Sequence, residues 1–319
     1  MKEGLNEELI AAVAQCLPQG TSMVNLISDV LSMGKESVYR RLRGEVVFTF
    51  DEVAKLSRGL NISLDNIIGL KNIRRAVFDL SLIKMENLFE KYYEVLDGYI
   101  EVFRALKRDP ESKIKLAFNT FPYVFVTPYP TIAKFQLFRW INQIRVHKSL
   151  MPFSTLEMPD KVLTTQRVFV QEMHSAGCSH YLMDERMFDS FVQQVKYFAK
   201  LKLINKEEIK QLQQELFTLL SDLENLAVQG AFENGNEVQI YISDFGFKLS
   251  SAYFECKEFL MCDLRLYSMN RVRSYNVKFC QTQDKWIESL KRYATLITQS
   301  GEIQRANYME KQRECIMSI

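Results

Sequence analysis

Apolar residues recur at helical spacing through the first seventy residues of the chain. Between Met23 and Leu31 they occupy one face of a helix, which needs a partner to cover it. After Gly34, Val38 and Leu42 are four residues apart and lie on one face of a second short helix. Gly34 can supply both the tight turn and the N-cap. The pattern predicts two helices joined by a turn and packed through their apolar faces.

Three further helices complete a five-helix N-terminal domain, predicted over residues 1–73. Thr49 and Glu52 form a capping box at the start of one helix, and Phe50 falls on its apolar face. The first helix is stopped by Pro18, and Ser63 caps the last one. In chain order the predicted helices cover residues 7–17, 23–31, 35–43, 50–60 and 63–69.

The face of the second helix opposite Val38 is polar and basic. At about 100° per residue, Glu36 and Arg40 lie about 160° from Val38. Arg43 lies about 140° away and Ser37 about 100°. Arginine on such a face donates to guanine edges and to phosphates in the major groove. The alternative is an ordinary solvated arginine face.

The motifs KESVYRRLRG at residues 35–44, FDEVAKL at 50–56 and LNISLD at 60–65 carry a family resemblance. They resemble the helix-turn-helix family of the lambda repressor and Cro type, also called XRE-like, over roughly residues 5–70. The resemblance implies DNA binding through the second helix of the motif, as a dimer on a palindrome. Gly34 replaces the Ser or Thr common in that family, which weakens the cap by a few tenths of a kcal/mol.

The expected DNA contacts divide by chemistry. Side chains on the outer face of the helix read the base edges directly. Cations on the flanks of that face contact the DNA backbone. We expect Arg40 and Arg43 on guanine or phosphate, Ser37 and Glu36 near base edges, Lys35 and Arg41 on the DNA backbone, and Tyr39 on the flank.

Residues 74–230 form a mainly helical region that we interpret as dimerising or regulatory. From Met85 to Leu106, apolar and aromatic residues follow a 4–3 spacing over about three heptads. Either a dimeric coiled coil or burial within the chain produces this pattern. The aromatic stretch over 121–140 is interpreted as core in preference to an effector pocket. Helices are predicted over 131–146, 161–176, 185–203 and 206–228, and strands over 73–83 and 113–118.

Residues 231–319 are predicted to form an α+β C-terminal region. Alternating apolar and polar residues predict an antiparallel meander with strands over 237–243, 247–254, 260–267 and 273–279. Helices over 282–299 and 302–315 follow. The fold class is therefore mainly α with a minor β component. The layout, including SGEIQR at 300–305, resembles uncharacterised bacterial one-component regulators, a likeness that assigns no chemistry.

Charge changes this picture in one respect. The chain of 319 residues has a net charge of +2 and is 47% hydrophobic, enough for two or three domains. Residues 1–73 hold eight Lys and Arg against nine Asp and Glu, a net of −1. Residues 35–43 hold four cations against one acid, a net of +3. We expect a narrow basic patch with about two to four phosphate contacts per subunit.

The six cysteines lie at positions 16, 178, 256, 262, 280 and 315, without a CxxC motif. This spacing is typical of reduced thiols. The first residues carry acids and no apolar signal core, and no apolar run reaches about 18 residues. A cytoplasmic location with no membrane association is expected.

Two clusters invite a chemical interpretation. His174, Cys178 and His180 have spacing that a Zn²⁺ site uses, but no fourth ligand is near. Asp244 and Glu255, with Lys257, match the loose pattern of metal-dependent nucleases. Ordinary buried or outward-facing residues explain both patterns equally well, and no phosphate-binding glycine loop or nucleophile elbow is present. We expect no enzyme activity, no metal and no cofactor.

The leading hypothesis is a sequence-specific, dimeric DNA-binding transcription regulator whose C-terminal module dimerises or senses an unidentified small-molecule or protein effector. The alternative, motivated by the near-neutral head, is a helical adaptor or antitoxin-like partner that uses the helix-turn-helix to bind protein. A third hypothesis is the metal-dependent nuclease.

Overall fold

The structure is a computed structural model that describes residues 4–17, 21–60, 62, 64–67, 76–81, 88–144, 149–267 and 269–319. The chain divides into two compact units, Met1–Arg75 and Ala76–Ile319. Several predicted features, namely the Ser63 cap, the helix end near Gly69 and the start of the heptad pattern at Met85, lie outside the described residues.

The N-terminal unit contains the predicted helices. Their bounds are α1 Leu5–Gln15, α2 Met23–Leu31, α3 Lys35–Leu42, α4 Phe50–Leu60 and α5 Leu64–Ile67. Ile27, Val38 and Leu56 are completely buried at its centre. The assignment of Phe50 to the apolar face of α4 was wrong. Phe50 is 79% exposed because it lies about 120° around α4 from Leu56.

The C-terminal unit is built on an eight-stranded sheet with the order β1-β7-β6-β5-β2-β3-β4-β8. β2, β3 and β4 are parallel, and every other neighbouring pair is antiparallel. The strands are β1 Asp79–Ser81, β2 Lys113–Phe118, β3 Cys178–Asp184, β4 Glu237–Ser243, β5 Ser251–Glu255, β6 Leu260–Tyr267, β7 Asn270–Ser274 and β8 Ala294–Leu296.

Helices make up most of the C-terminal unit as well. They are α6 Leu88–Lys107, α7 Tyr123–Val126, α8 Pro130–Ile144, α9 Asp160–Glu172, α10 Met187–Lys200, α11 Lys206–Gln229, α12 Val277–Leu290 and α13 Glu302–Met317. The chain is thus mainly α with a β component, as predicted. None of the helices in the described residues combines the length and apolar character needed to cross a membrane.

The sheet corrects the predicted arrangement of strands. The meander consists of β5, β6 and β7 only, because β2 and β3 lie between β4 and β5. The sheet takes strands from both sides of residue 230, so the regions predicted as 74–230 and 231–319 form one unit. The predicted strand over 273–279 was wrong beyond β7, because Asn276 Oδ1 accepts a hydrogen bond from Phe279 N at 2.9 Å and caps α12.

β3 was missed by the sequence analysis. It is the central parallel strand, between β2 and β4, and most of its residues are buried. A strand covered on both faces lacks the apolar–polar alternation on which the prediction relied. The predicted helix over 282–299 was wrong at its end for a related reason, since β8 pairs with the edge of β4 over three residues that show no pattern of their own.

Helices cover both faces of the sheet. On one face, Ile114, Leu116 and Phe118 of β2 enter a large core with residues of α6, α8, α9, α10, α11 and α13. On the other face, α12 packs on β2, β5 and β6. There Lys115 Nζ lies 2.5 Å from Asp284 Oδ1 and 2.7 Å from Glu288 Oε1 of α12. This buried lysine ties α12 to the centre of the sheet.

The heptad pattern of α6 is satisfied within the chain. Tyr92, Leu96, Phe103 and Leu106 are buried in the same core, and α6 packs on α9. The interpretation of this seam as a dimeric coiled coil was therefore wrong. The interpretation of the aromatic stretch as core is confirmed, because Phe135, Phe138 and Trp140 are almost completely buried.

Gly177 permits the close packing that begins β3. A Cβ at this position would collide with the carbonyl oxygen of Pro110. We expect Gly177→Ala to lower the free energy of unfolding of the C-terminal unit by about 2–3 kcal/mol, because backbone must move to accept the methyl group. Chemical denaturation of the full chain measures this loss.

Gly98→Ala is the matched control for that change. Gly98 lies within α6, and a Cβ there meets only Arg271 Nη2 at 3.6 Å. Since alanine is the better helix former, this variant should gain about 0.5–1 kcal/mol. Equal effects from the two variants would contradict the role given to Gly177.

Candidate nucleic-acid interface

The turn between α2 and α3 is set by Ser32 and closed by Ser28. Ser32 has a left-handed backbone with φ 51°. Ser28 Oγ donates to Met33 O at 2.6 Å, and Met33 N donates to Ser28 O at 3.0 Å. Gly34 is the N-cap of α3 with an extended backbone, φ −62° and ψ 143°. The predicted cap at Gly34 is confirmed, but the left-handed turn belongs to Ser32.

Contacts inside the unit fix the orientation of α3. Val38 is completely buried and Leu42 is half-buried. Asn6 of α1 donates from Nδ2 to Arg41 O at 3.4 Å and accepts from Phe48 N at 3.2 Å. The end of α3 is therefore attached to α1 as well as to α2.

Arg41 forms an ion pair with Glu52 inside the N-terminal unit. Its Nε lies 3.0 Å from Glu52 Oε2 and its Nη2 lies 2.7 Å from Glu52 Oε1, with the two side chains only 14% and 15% exposed. Arg41 lies only about 60° around α3 from Val38, on the inner flank. This bidentate pair holds the guanidinium against α4, so the expected contact of Arg41 with the DNA backbone requires the pair to open.

Glu52 combines this ion pair with the capping box. Its Oε2 also accepts from Thr49 N at 2.9 Å, and Glu52 N donates to Thr49 Oγ1 at 3.3 Å. Burial alone would raise the pKa of Glu52, but the hydrogen bonds from Arg41 and Thr49 bring that pKa below its ordinary value. One carboxylate thus begins α4 and anchors α3.

The remaining predicted contact residues share the solvent-facing side of α3. The exposed residues are Lys35, Glu36, Ser37, Tyr39, Arg40 and Arg43. Glu36, Arg40 and Arg43 lie about 140–160° around α3 from Val38, Ser37 and Tyr39 lie about 100° away, and Lys35 lies about 60° away in the exposed first turn. This face carries hydrogen-bond donors of both the guanidinium and the hydroxyl type.

Glu45 holds both exposed arginines. Its Oε1 lies 2.7 Å from Arg43 Nε and its Oε2 lies 3.5 Å from Arg40 Nε. The arginine side chains are 55% and 54% exposed, so water and salt screen both pairs and each contributes little to stability. The hydrogen bond from Arg43 lowers the pKa of Glu45, which therefore stays ionised at neutral pH. A phosphate can replace such an exposed carboxylate at little cost.

Glu45 was missed as a functional residue by the sequence analysis. The signal was its position two residues after Arg43, at the end of the basic segment. Counting charge only to residue 43 gave +3, and including Glu45 gives +2.

His174, Cys178 and His180 do not come together as one cluster. His174 follows the end of α9 and stacks on Phe232, with ring centroids 3.9 Å apart, while Cys178 begins β3. Cys178 Sγ and His180 Nε2 do lie 3.4 Å apart. Burial and the nearby Lys291 ammonium lower the pKa of His180 to about 4. Among the described residues, no group of three or more His, Cys, Asp or Glu side chains is arranged to hold a metal.

The two carboxylates of the nuclease hypothesis, Asp244 and Glu255, lie at opposite ends of the strands. Glu255 pairs with Lys113, at the start of β2. Asp244 follows Ser243, which pairs with Asp184 at the end of β3. The six residues of β2 separate these two ends of the strands by about 17–20 Å. Asp244 and Glu255 cannot share a metal ion, so this hypothesis was wrong.

Comparisons of the chain with protein-family models, with curated proteins and with solved structures give no match.

The Arg41–Glu52 pair should stabilise the N-terminal unit in a pH-dependent way. Glu52→Gln keeps an acceptor for Thr49 N but removes the charge, so we expect the opening free energy of α3 and α4 to fall by about 1.5–2.5 kcal/mol at pH 7. Because the folded-state pKa of Glu52 is lowered, this contribution is present above its ordinary value of 4.5 and is lost as pH falls further. Amide hydrogen exchange in the full chain measures it.

Asp51→Asn is the control, since Asp51 is an exposed acid in the same first turn of α4. It should lose only the interaction with the helix dipole, about 0.3–1 kcal/mol. Equal losses in both variants would show that Arg41 contributes nothing.

Proposed function

We propose that this chain is a sequence-specific DNA-binding transcription regulator that inserts α3 into the major groove. The observation that carries the proposal is the exposed polar face of α3, opposite the buried Val38 and presented by the α2–turn–α3 unit. A recognition helix needs one face fixed in the protein and the other available to base edges. The resemblance of residues 5–70 to the lambda repressor and Cro type supports the same assignment.

In this mechanism Arg40 and Arg43 exchange Glu45 for guanine edges or phosphate. Both side chains lie near the C-terminal end of α3, where each forms an ion pair with Glu45. Lys35, in the first turn of α3, is exposed and contacts the DNA backbone. Ser37 and Glu36 approach base edges, and Tyr39 lies on the flank.

The regulator acts as a cytoplasmic dimer on a palindromic site, with half-sites separated by about one helical turn of 34 Å. The narrow basic patch limits each subunit to about two to four phosphate contacts, which gives a salt slope of about −2 to −4 per subunit. The C-terminal unit binds an effector, and this binding changes the affinity of the N-terminal unit for DNA.

A second candidate function is a protein-interaction adaptor or antitoxin-like partner. The observation that favours it is the exposure of two large apolar side chains, Val47 at 66% before α4 and Phe50 at 79% in its first turn. Exposed apolar groups beside a near-neutral unit suit a protein surface better than a phosphate backbone. Binding that is indifferent to added salt distinguishes this function from DNA binding.

Selection of bound duplexes from random DNA tests the leading proposal. We expect a palindromic motif, and Arg43→Ala should weaken binding to it by about 1–3 kcal/mol and relax the preference at one base pair. Arg58→Ala is the control, because Arg58 is an exposed arginine of α4 in the same unit. Fluorescence anisotropy with the selected duplex measures both affinities.

Two results would contradict the proposal. One is the absence of any enriched motif with folded protein. The other is an equal loss of affinity in Arg43→Ala and Arg58→Ala, which would indicate nonspecific attraction to the charge of the unit. Uniform weakening by Arg43→Ala alone, on every sequence, would make Arg43 a phosphate contact.

A further inference from the structure

A solvent-accessible cavity of about 280 Å³ lies at the carboxyl end of β2. At β2 the sheet changes from parallel pairing with β3 to antiparallel pairing with β5. Ligands of open α/β sheets bind in crevices outside the carboxyl ends of the parallel strands. The volume is close to the roughly 300 Å³ at which small-molecule pockets begin.

Hydrogen bonds hold the walls of this cavity in place. Asn119, just after β2, donates from Nδ2 to Phe247 O at 2.7 Å and accepts from Ser250 Oγ at 2.9 Å. Arg265 N of β6 donates to Ser250 O at 2.9 Å. These bonds join three separate segments at the carboxyl end of β2, so the cavity has a preformed shape.

Three cations line the cavity, and the described residues of its wall include no carboxylate. The cations are Arg139 of α8, Lys248 and Arg265. Arg139 is only 9% exposed and donates from Nη1 to Gln194 Oε1. The other lining residues are polar or apolar but uncharged, namely Asn119, Thr120, Gln143, Gln194, Leu249, Ser250 and Leu266.

The side chain of Arg265 donates hydrogen bonds to neutral groups among the described residues. Its Nη1 donates to Thr120 Oγ1 at 3.1 Å and to Phe121 O at 3.2 Å, and its guanidinium lies 5.4 Å from the ring centroid of Tyr123. Within the described part of the chain, no carboxylate forms an ion pair with Arg265. Its positive charge is therefore available to the cavity.

The two guanidinium groups repel each other in the structure as it stands. Burial, followed by the positive charge of Arg265, lowers the pKa of Arg139 to about 10. An anion in the cavity removes this repulsion and supplies the acceptors that guanidinium groups prefer. The uncharged amides and hydroxyls suit the hydroxyl groups of the same ligand.

We propose that this cavity binds a small hydroxylated metabolite whose phosphate or carboxylate group contacts both Arg139 and Arg265, with Lys248 at the mouth. The shared chemistry is a compact anion that accepts hydrogen bonds from guanidinium groups. This site lies entirely within the C-terminal unit. Its existence does not depend on DNA binding by the N-terminal unit.

Isothermal titration calorimetry of the full chain tests the proposal with three probes. Glucose 6-phosphate presents a phosphate with hydroxyl groups, citrate presents carboxylates with a hydroxyl group, and glucose is the uncharged control. We expect saturable binding of at least one of the two anions and none of glucose. The anion that binds more tightly identifies the phosphate or the carboxylate as the preferred group.

Variants assign the binding to this cavity. Arg265→Gln should weaken the preferred anion about 10-fold or more, because charge-assisted hydrogen bonds are lost. Lys248→Gln changes an exposed side chain and should weaken binding about 2- to 5-fold without affecting folding. Arg167→Gln removes an exposed arginine of α9 outside the cavity and should leave affinity unchanged.

The proposal is overturned if the folded wild type binds neither anion at millimolar concentration. It is also overturned if Lys248→Gln and Arg265→Gln both bind with wild-type affinity, or if Arg167→Gln weakens binding as much as they do. Circular dichroism of each variant confirms that the comparison is made between folded proteins, and Lys248→Gln keeps the test valid if Arg265→Gln does not fold.

Discussion

Parallel pairing of β2, β3 and β4 is the constraint on which the C-terminal unit depends. Each parallel step requires a crossover, and the chain supplies α7, α8 and α9 for the first and α10 and α11 for the second. Strands buried on both faces also need a cover on the opposite side, which α12 provides. The cavity at the end of β2 follows from the same arrangement, because antiparallel β5 and β6 bring Ser250 and Arg265 to the edge where the parallel strands finish.

The N-terminal unit depends on a much smaller set of contacts. Glu52 joins α3 to α4 through Arg41 and begins α4 through Thr49, so one side chain takes part in both the start of α4 and the anchoring of α3. The exposed face of α3 takes no part in these contacts of Glu52. Arg40 and Arg43 differ from Arg41 only in their position around the helix, and that position separates a structural arginine from two solvent-facing ones.

Local features of the fold were predictable from the sequence, and long-range ones were not. The bounds of α2, β2, β4 and β6 follow from periodicity, and the Thr49–Glu52 capping box follows from a short motif. The order of strands depends on contacts between distant segments that no local pattern encodes, which explains the misplacement of β4. In the candidate site, helical spacing was enough to identify Glu36, Arg40 and Arg43 as outward residues, but the pairing of Arg41 with Glu52 depends on how α3 packs on α4. The cavity joins Arg139, Lys248 and Arg265 across about 125 residues of chain, beyond the reach of any motif.

The two ends of the sheet carry a further consequence. β1 and β8, the outermost strands, are each only three residues long. Short edge strands offer little backbone for a second molecule to pair with, and this protects large sheets from edge-to-edge polymerisation. Within the described residues, neither edge strand is long enough to continue the sheet from one copy into the next, which favours assembly through side-chain surfaces such as helix faces.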